Sequence, residues 1–177
     1  MSDNSKLIDK SESDTGSKAV EQDIFPFFPK QTEAEEFIGS MHIYLLDKIF
    51  FQSLPCTITE PEKVFFICSD IINCIKTDGF GEAFAHLVVD ADNEECEAAF
   101  RTIGADKMAD IVANALRMAD SLSDEYFDDP ASFLEQSENK EAAAFFGQLS
   151  SEYAACLTET KELLYRYANE NKDSFDE

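Results

Sequence analysis

The segment TEPEKVFFICSDIINCIKTDG, residues 59–79, constrains the fold more than any other part of the chain. Val64, Phe65, Ile67, Cys68, Ile71, Ile72 and Ile75 recur at helical spacing but spread around most of the cylinder instead of along one stripe. A helix that is apolar on most sides has to be covered on most sides. Its ends are marked as well. Thr59 with Glu62 has the form of a capping box, and Pro61 falls in the first turn, where a missing N–H costs nothing. VFFIC alone could pass for a buried strand, but the apolar pattern runs on through Ile75 and favours helix. Other elements must therefore surround this one. At 177 residues, with 44% apolar residues and 16 Phe, the chain has the material to do so.

The surrounding segments also read as helices. Thr32 and Glu35 form a second capping-box pattern ahead of Phe37, Ile38, Met41, Tyr44, Leu45, Lys48 and Ile49, and Leu54-Pro55 closes that segment. EAFAHLVVD predicts one or two turns, and Asp92 with Glu95 opens a segment carrying Ala98, Ala99, Phe100 and Ile103. Gly104 separates it from ADKMADIVANALRMADSL, an amphipathic helix. Asp129 before Pro130 predicts a short helix with Phe133 and Leu134. Residues 140–149 are rich in Ala and Phe, and a last helix is expected over about 150–169. No stretch sustains period-two alternation, so the expected fold is all-α, a single compact domain of about seven or eight helices over residues 23–177. Residues 1–22 are polar and predict a flexible tail. DIFPFFPK, residues 23–30, is interrupted by prolines and predicts an extended strap.

Site chemistry is conspicuous by what is missing. The two His, His42 and His86, are far apart in sequence, each in an apolar context that predicts packing at the domain surface. Five Cys form no C-x-x-C pair, which fits a reduced, cytoplasmic compartment. DADNEECE, residues 90–97, lacks the order of a calcium loop. KTDGFGEAF places Gly79 and Gly81 two apart, but a dinucleotide loop needs a third Gly where Phe84 stands, and needs a strand before it. The expectation is no enzyme, no cofactor and no metal, with the glycines marking a helix stop near Asp78 or Gly79 and re-entry at Gly81. No run approaches the roughly 18 apolar residues of a membrane span, and the N-terminus lacks signal-peptide character.

Charge is the outlying property. With 37 acids against 14 bases the net charge is −23, far beyond the magnitude of about 2–8 that keeps a small domain soluble. Such a chain repels nucleic acid and anionic membrane and attracts basic proteins. The excess is uneven: residues 1–77 hold 13 acids and 7 bases, residues 78–177 hold 24 acids and 7 bases. One acidic run is Asp90, Asp92, Glu94, Glu95 and Glu97. A second, Asp120, Asp124, Glu125, Asp128, Asp129, Glu135 and Glu138, has no base between Arg117 and Lys140. Asp106 and Asp110 are four apart, as are Asp120 and Asp124 if one helix reaches that far, which advances each pair about 6 Å. Carboxylates at that spacing could present a phosphate-like row to a basic groove, against the plainer reading of a solvated acidic face. Like charges at i,i+4 cost a helix a few tenths of a kcal/mol, which invites a functional reason.

Residues from about 36 to 176 resemble a bacterial DNA-mimic protein family. The likeness rests on three features in order. The first is the helix running into Gly79 and Phe80, with Phe84 matching an aromatic, while Thr77, Asp78 and Glu82 depart from the family's Asn, Gly and Gln. The second is AAFRTIGADKMADIVANAL, with its Ile-Gly-Ala step at Gly104, and the third is LLYRYANENKDSF. The resemblance implies an all-α fold and, for the DNA-mimic member, a dimer whose acidic surface occupies a DNA-binding regulator. The function expected is thus an acidic protein-binding module whose partner is a basic DNA-binding protein, a transcriptional regulator or nucleoid protein. Its carboxylates would come from Asp90, Asp92, Glu94, Glu95, Glu97, Asp106, Asp110, Asp120, Asp124, Glu125, Asp128 and Asp129. The alternatives are an immunity protein for a toxic nuclease and a small-molecule site around Gly79–Phe84 with Tyr44 or His86.

Overall fold

A computed structural model describes residues 34–50, 57–90 and 93–175. The tail, the strap, Thr32, Leu54-Pro55 and Asp92 lie outside those residues, as does the side chain of Asp90. Eight α-helices follow in series: α1 Ala34–Phe50, α2 Glu60–Asp78, α3 Phe80–Asp90, α4 Asn93–Thr102, α5 Asp106–Asp120, α6 Asp124–Asp128, α7 Pro130–Glu135 and α8 Lys140–Glu170. Two 3-10 turns, Ser137–Asn139 and Lys172–Ser174, precede and follow α8. Among the described residues there is no strand, so the fold is all-α as the patterning predicts.

α2 is the central element. Val64, Phe65, Cys68, Ile71, Ile72 and Ile75 are buried, and α1, α3, α4 and α8 all pack against it. The capping box forms: the Glu62 N–H donates to Thr59 Oγ1 at 3.3 Å, and the Thr59 N–H donates to Glu62 Oε2 at 2.7 Å. Glu62 does more than cap. Its Oε1 meets the Lys48 ammonium at 2.7 Å, with both side chains buried, so the start of α2 is tied to the end of α1. Thr59 Oγ1 donates to the Ser174 carbonyl at 3.2 Å, which draws the C-terminal turn to the same point. Phe175 then packs edge-on to Phe65, ring centroids 5.8 Å apart.

Gly79 ends α2 with φ 91° and ψ 157°, a conformation essentially open to Gly alone. Helix resumes at Phe80, one residue earlier than the sequence pattern indicates, and α3 runs for 11 residues, not one or two turns. Phe80 and Phe84 are buried. Gly81 has a different reason to be Gly: a Cβ there would lie 2.7 Å from Leu134 Cδ1, so it lets α7 approach α3 closely. Gly104, at φ 81°, makes the turn from α4 into α5.

α8 departs most from expectation. The predicted break near residue 150 is absent, and one helix spans 31 residues. The cause is an unbroken buried stripe, Ala142, Phe146, Leu149, Tyr153, Cys156, Thr160, Leu164 and Ala168, whose three- and four-residue steps never lose register. α1, α2, α3, α5 and α7 all pack on α8. No described helix is long and apolar enough to cross a membrane.

Candidate functional site, an acidic surface divided in two

The predicted carboxylates fall into two groups of different character. The first surrounds Arg101, near the end of α4. Its guanidinium reaches Glu97 at 2.8 Å, Asp110 at 2.7 Å and Asp106 at 3.5 Å. Asp106 and Asp110 do share one face of α5, as their spacing predicts, but that face turns to a cation. Glu97 and Asp110, each accepting a hydrogen bond from the guanidinium, hold its pKa above the ordinary value, Glu97 most of all. Glu95 on α4 pairs with Lys63 on α2 at 2.6 Å. Glu94 is exposed on the first turn of α4. This region is acidic, yet much of its charge is answered locally.

The second group is the α6–α7 lobe. Asp120 ends α5, and Asp124 begins α6 after a turn through Ser121–Ser123. The two therefore do not form an i,i+4 pair on one helix, because Ser121 and Leu122 leave the helical ladder to close a tight turn on Met118 and Ala119. Asp120, Asp124, Glu125 and Asp128 are exposed, and among the described residues none has an ion-pair partner. Asp129 is exposed but has structural work as the N-cap of α7. Its Oδ1 accepts from the Ser132 N–H at 3.1 Å, and the Ser132 side chain first, then this N–H, lower its pKa.

One aromatic side chain holds this lobe down. Tyr126, fully buried on the five-residue α6, packs on Phe127, Phe133 and Phe146 and donates its hydroxyl to the Gly81 carbonyl. Burial pushes its pKa up, with the Glu82 carboxylate adding to the shift. The motif KTDGFGEAF thus serves as the seat of the acidic lobe. Phe80 and Phe84 face the core and Gly81 O accepts from Tyr126.

His42 departs from its predicted surface position. It is buried, with Nδ1 3.0 Å from Ser69 Oγ, its ring stacked on Phe66 and Nε2 3.8 Å from Asp70. Burial lowers its pKa, and Asp70 opposes this. His86 is exposed. The four described Cys are free thiols, Cys68, Cys96 and Cys156 buried and Cys74 half-buried. No group of three or more His, Cys, Asp or Glu among the described residues could hold a metal ion.

The sequence reading missed Arg101 as the hub of the first group, because ion pairing across helices leaves no local pattern. It also missed Tyr126, although an aromatic flanked by acids in a base-free run was a usable signal. No curated protein and no solved structure matches the chain. A family does match, the DMP19-like proteins, over residues 56–171, which takes in everything from the approach to α2 through the end of α8. With that span covering the central helix, the glycine junction and both acidic groups, the chain belongs to the DMP19-like protein family.

Proposed function

We propose that this chain is a non-enzymatic, acidic protein-binding module of the DNA-mimic kind. Its α6–α7 lobe occupies the basic DNA-binding surface of a transcriptional regulator or nucleoid protein. One observation carries the reading. Asp120, Asp124, Glu125 and Asp128 stand exposed with no ion-pair partner among the described residues, whereas Glu95 pairs with Lys63, and Glu97, Asp106 and Asp110 lean on Arg101. Unanswered carboxylates on a rigidly seated lobe are what a basic groove attracts, because electrostatic complementarity raises association rate and selects the partner. Membership of the DMP19-like family supports the same reading.

The experiment is capture from lysate at low salt, followed by competition with duplex DNA. Basic DNA-binding proteins should be retained and displaced by DNA. The variant Asp120→Asn/Asp124→Asn/Glu125→Gln/Asp128→Asn should lose at least tenfold in affinity for the captured partner. Glu97→Gln/Asp106→Asn/Asp110→Asn should lose much less. Capture that ignores both DNA and the lobe variant overturns the reading. The dimer implied by the family likeness belongs to the same proposal, and light scattering of the full chain decides it.

A further inference from the structure

The outer face of α1 carries an apolar stripe left uncovered among the described residues. Ile43 and Phe50 are the large apolar side chains that stand exposed there, at 67% and 65%. Leu46 between them is half-buried, and Gly39 precedes them. Positions 39, 43, 46 and 50 recur at four- and three-residue steps, so they form one line about 17 Å long on a single helix face. Gly39 adds a separate observation. A Cβ there would meet nothing within 4 Å, so no described neighbour accounts for a glycine in this helix interior, where it is ordinarily unfavourable. A chain lying close against the stripe would account for it.

Size and reach decide what lies there. At about 200 Å² for a large apolar side chain, the exposed parts of Ile43 and Phe50 come to on the order of 250 Å², against about 800 Å² per partner in a stable complex. The stripe is therefore too small to hold a second copy or a separate protein by itself, and the dimer of the preceding reading needs more surface than this. A segment of the same chain escapes that limit. A short tether supplies an effective concentration in the millimolar range, and the cost of association is largely met in advance.

Residues 51–56, which connect α1 to Thr57, cannot cover the whole line. A return trip from Phe50 to Ile43 is about 21 Å along the helix, nearly the full extended length of the seven steps from Phe50 to Thr57, about 23 Å. Residues 23–30, DIFPFFPK, fit better. Asp23 and Lys30 balance, and Ile24, Phe25, Phe27 and Phe28 supply apolar surface. Pro26 and Pro29 keep this segment out of a helix and favour an extended backbone. From Phe28 to Ala34 there are six steps, about 20 Å when extended, against about 14 Å along α1 from Ala34 to Ile43. From Ile24 there are ten steps, about 33 Å, against about 24 Å from Ala34 to Phe50. The slack in each case is enough for one reversal of direction ahead of α1. We propose that residues 24–28 lie back along α1 as an extended strap and cover Gly39, Ile43, Leu46 and Phe50.

The experiment places photoreactive benzoylphenylalanine in the full chain in place of Phe27 and maps its crosslinks by mass spectrometry. They should fall within residues 39–50 of the same molecule, on a product that migrates as a single chain and whose yield does not change with protein concentration. Melting temperatures give a second readout. Phe27→Ser/Phe28→Ser and Ile43→Ser/Phe50→Ser should each lower the melting temperature, and all four substitutions together should lower it by less than the sum, because both pairs remove the same contact. Crosslinks to other helices or to a second copy, no crosslink at all, or strictly additive losses overturn the inference. None of these results bears on capture of basic proteins by the lobe, which stands or falls on competition by duplex DNA.

Discussion

Lys48 and Glu62 tie the end of α1 to the start of α2 and, through Thr59, to the C-terminal turn. A buried carboxylate left without its cation is costly, about 3–5 kcal/mol when one partner of such a pair is removed. Lys48→Met should therefore destabilise by about that amount in urea denaturation, and Lys48→Met/Glu62→Gln should recover a large part of the loss, because the neutral amide can still cap Thr59. Gly79 tests a different cost. Its backbone sits where side chains are not tolerated, so Gly79→Ala should cost about 1–3 kcal/mol although its Cβ would meet nothing within 4 Å. His42 sets a pH dependence. Burial lowers its pKa in the folded state, so the unfolded chain binds the extra proton first as pH falls. Its contribution is present above the ordinary histidine value of about 6.5 and is lost on acidification. Thermal stability should fall between pH 7.5 and 5.5, and His42→Gln should flatten that slope. A profile unchanged by the substitution would place the pH dependence elsewhere.

Among the helices, local signals and tertiary contacts divided the work of fixing boundaries. Those of α2 were legible because both ends carry their own chemistry, Thr59 and Glu62 at one and Gly79 at the other. The start of α7 was legible through Asp129-Pro130 for the same reason. α8 was not, since Gly147 and the Ser150-Ser151 pair look like a break, and only the continuity of packing from Ala142 to Ala168 overrides them. Gly147 is exposed with nothing within 4 Å of a Cβ, so Gly147→Ala should stabilise by about 0.5–1 kcal/mol, the ordinary helix-interior penalty of glycine. α6 illustrates the opposite case. Five residues cannot hold a helix by propensity, and Tyr126 anchors this one. Tyr126→Phe should cost about 1 kcal/mol for the hydrogen bond to Gly81. Tyr126→Ala should cost about 3–5 kcal/mol and loosen the lobe, seen as faster amide exchange over residues 121–135. The acids of the candidate site were legible as residues, but their grouping was not. A run of carboxylates in sequence does not reveal that Arg101 answers Asp106 and Asp110 while Asp120 and the acids of α6 go unanswered.

For the whole molecule, the two consequences of a net charge of −23 have opposite signs in salt. Self-repulsion opposes the compact state, and screening relieves it. Attraction to a basic partner favours binding, and screening weakens it. Surface ion pairs such as Lys63–Glu95 and Arg166–Glu170 are worth about 0–1 kcal/mol each and lose little. Raising NaCl from about 20 mM to about 500 mM shortens the screening length from tens of ångströms to a few. Over that range the melting temperature should rise while the captured basic protein is released. The lobe variant sharpens the expectation, because neutralising Asp120, Asp124, Glu125 and Asp128 removes four of the 37 acids. It should start with a higher melting temperature at low salt, gain less from added salt, and bind its partner weakly throughout. A stability that falls with salt would mean that internal ion pairs outweigh repulsion. The excess charge would then be supporting the fold, and the unanswered lobe would lose its reason for being acidic.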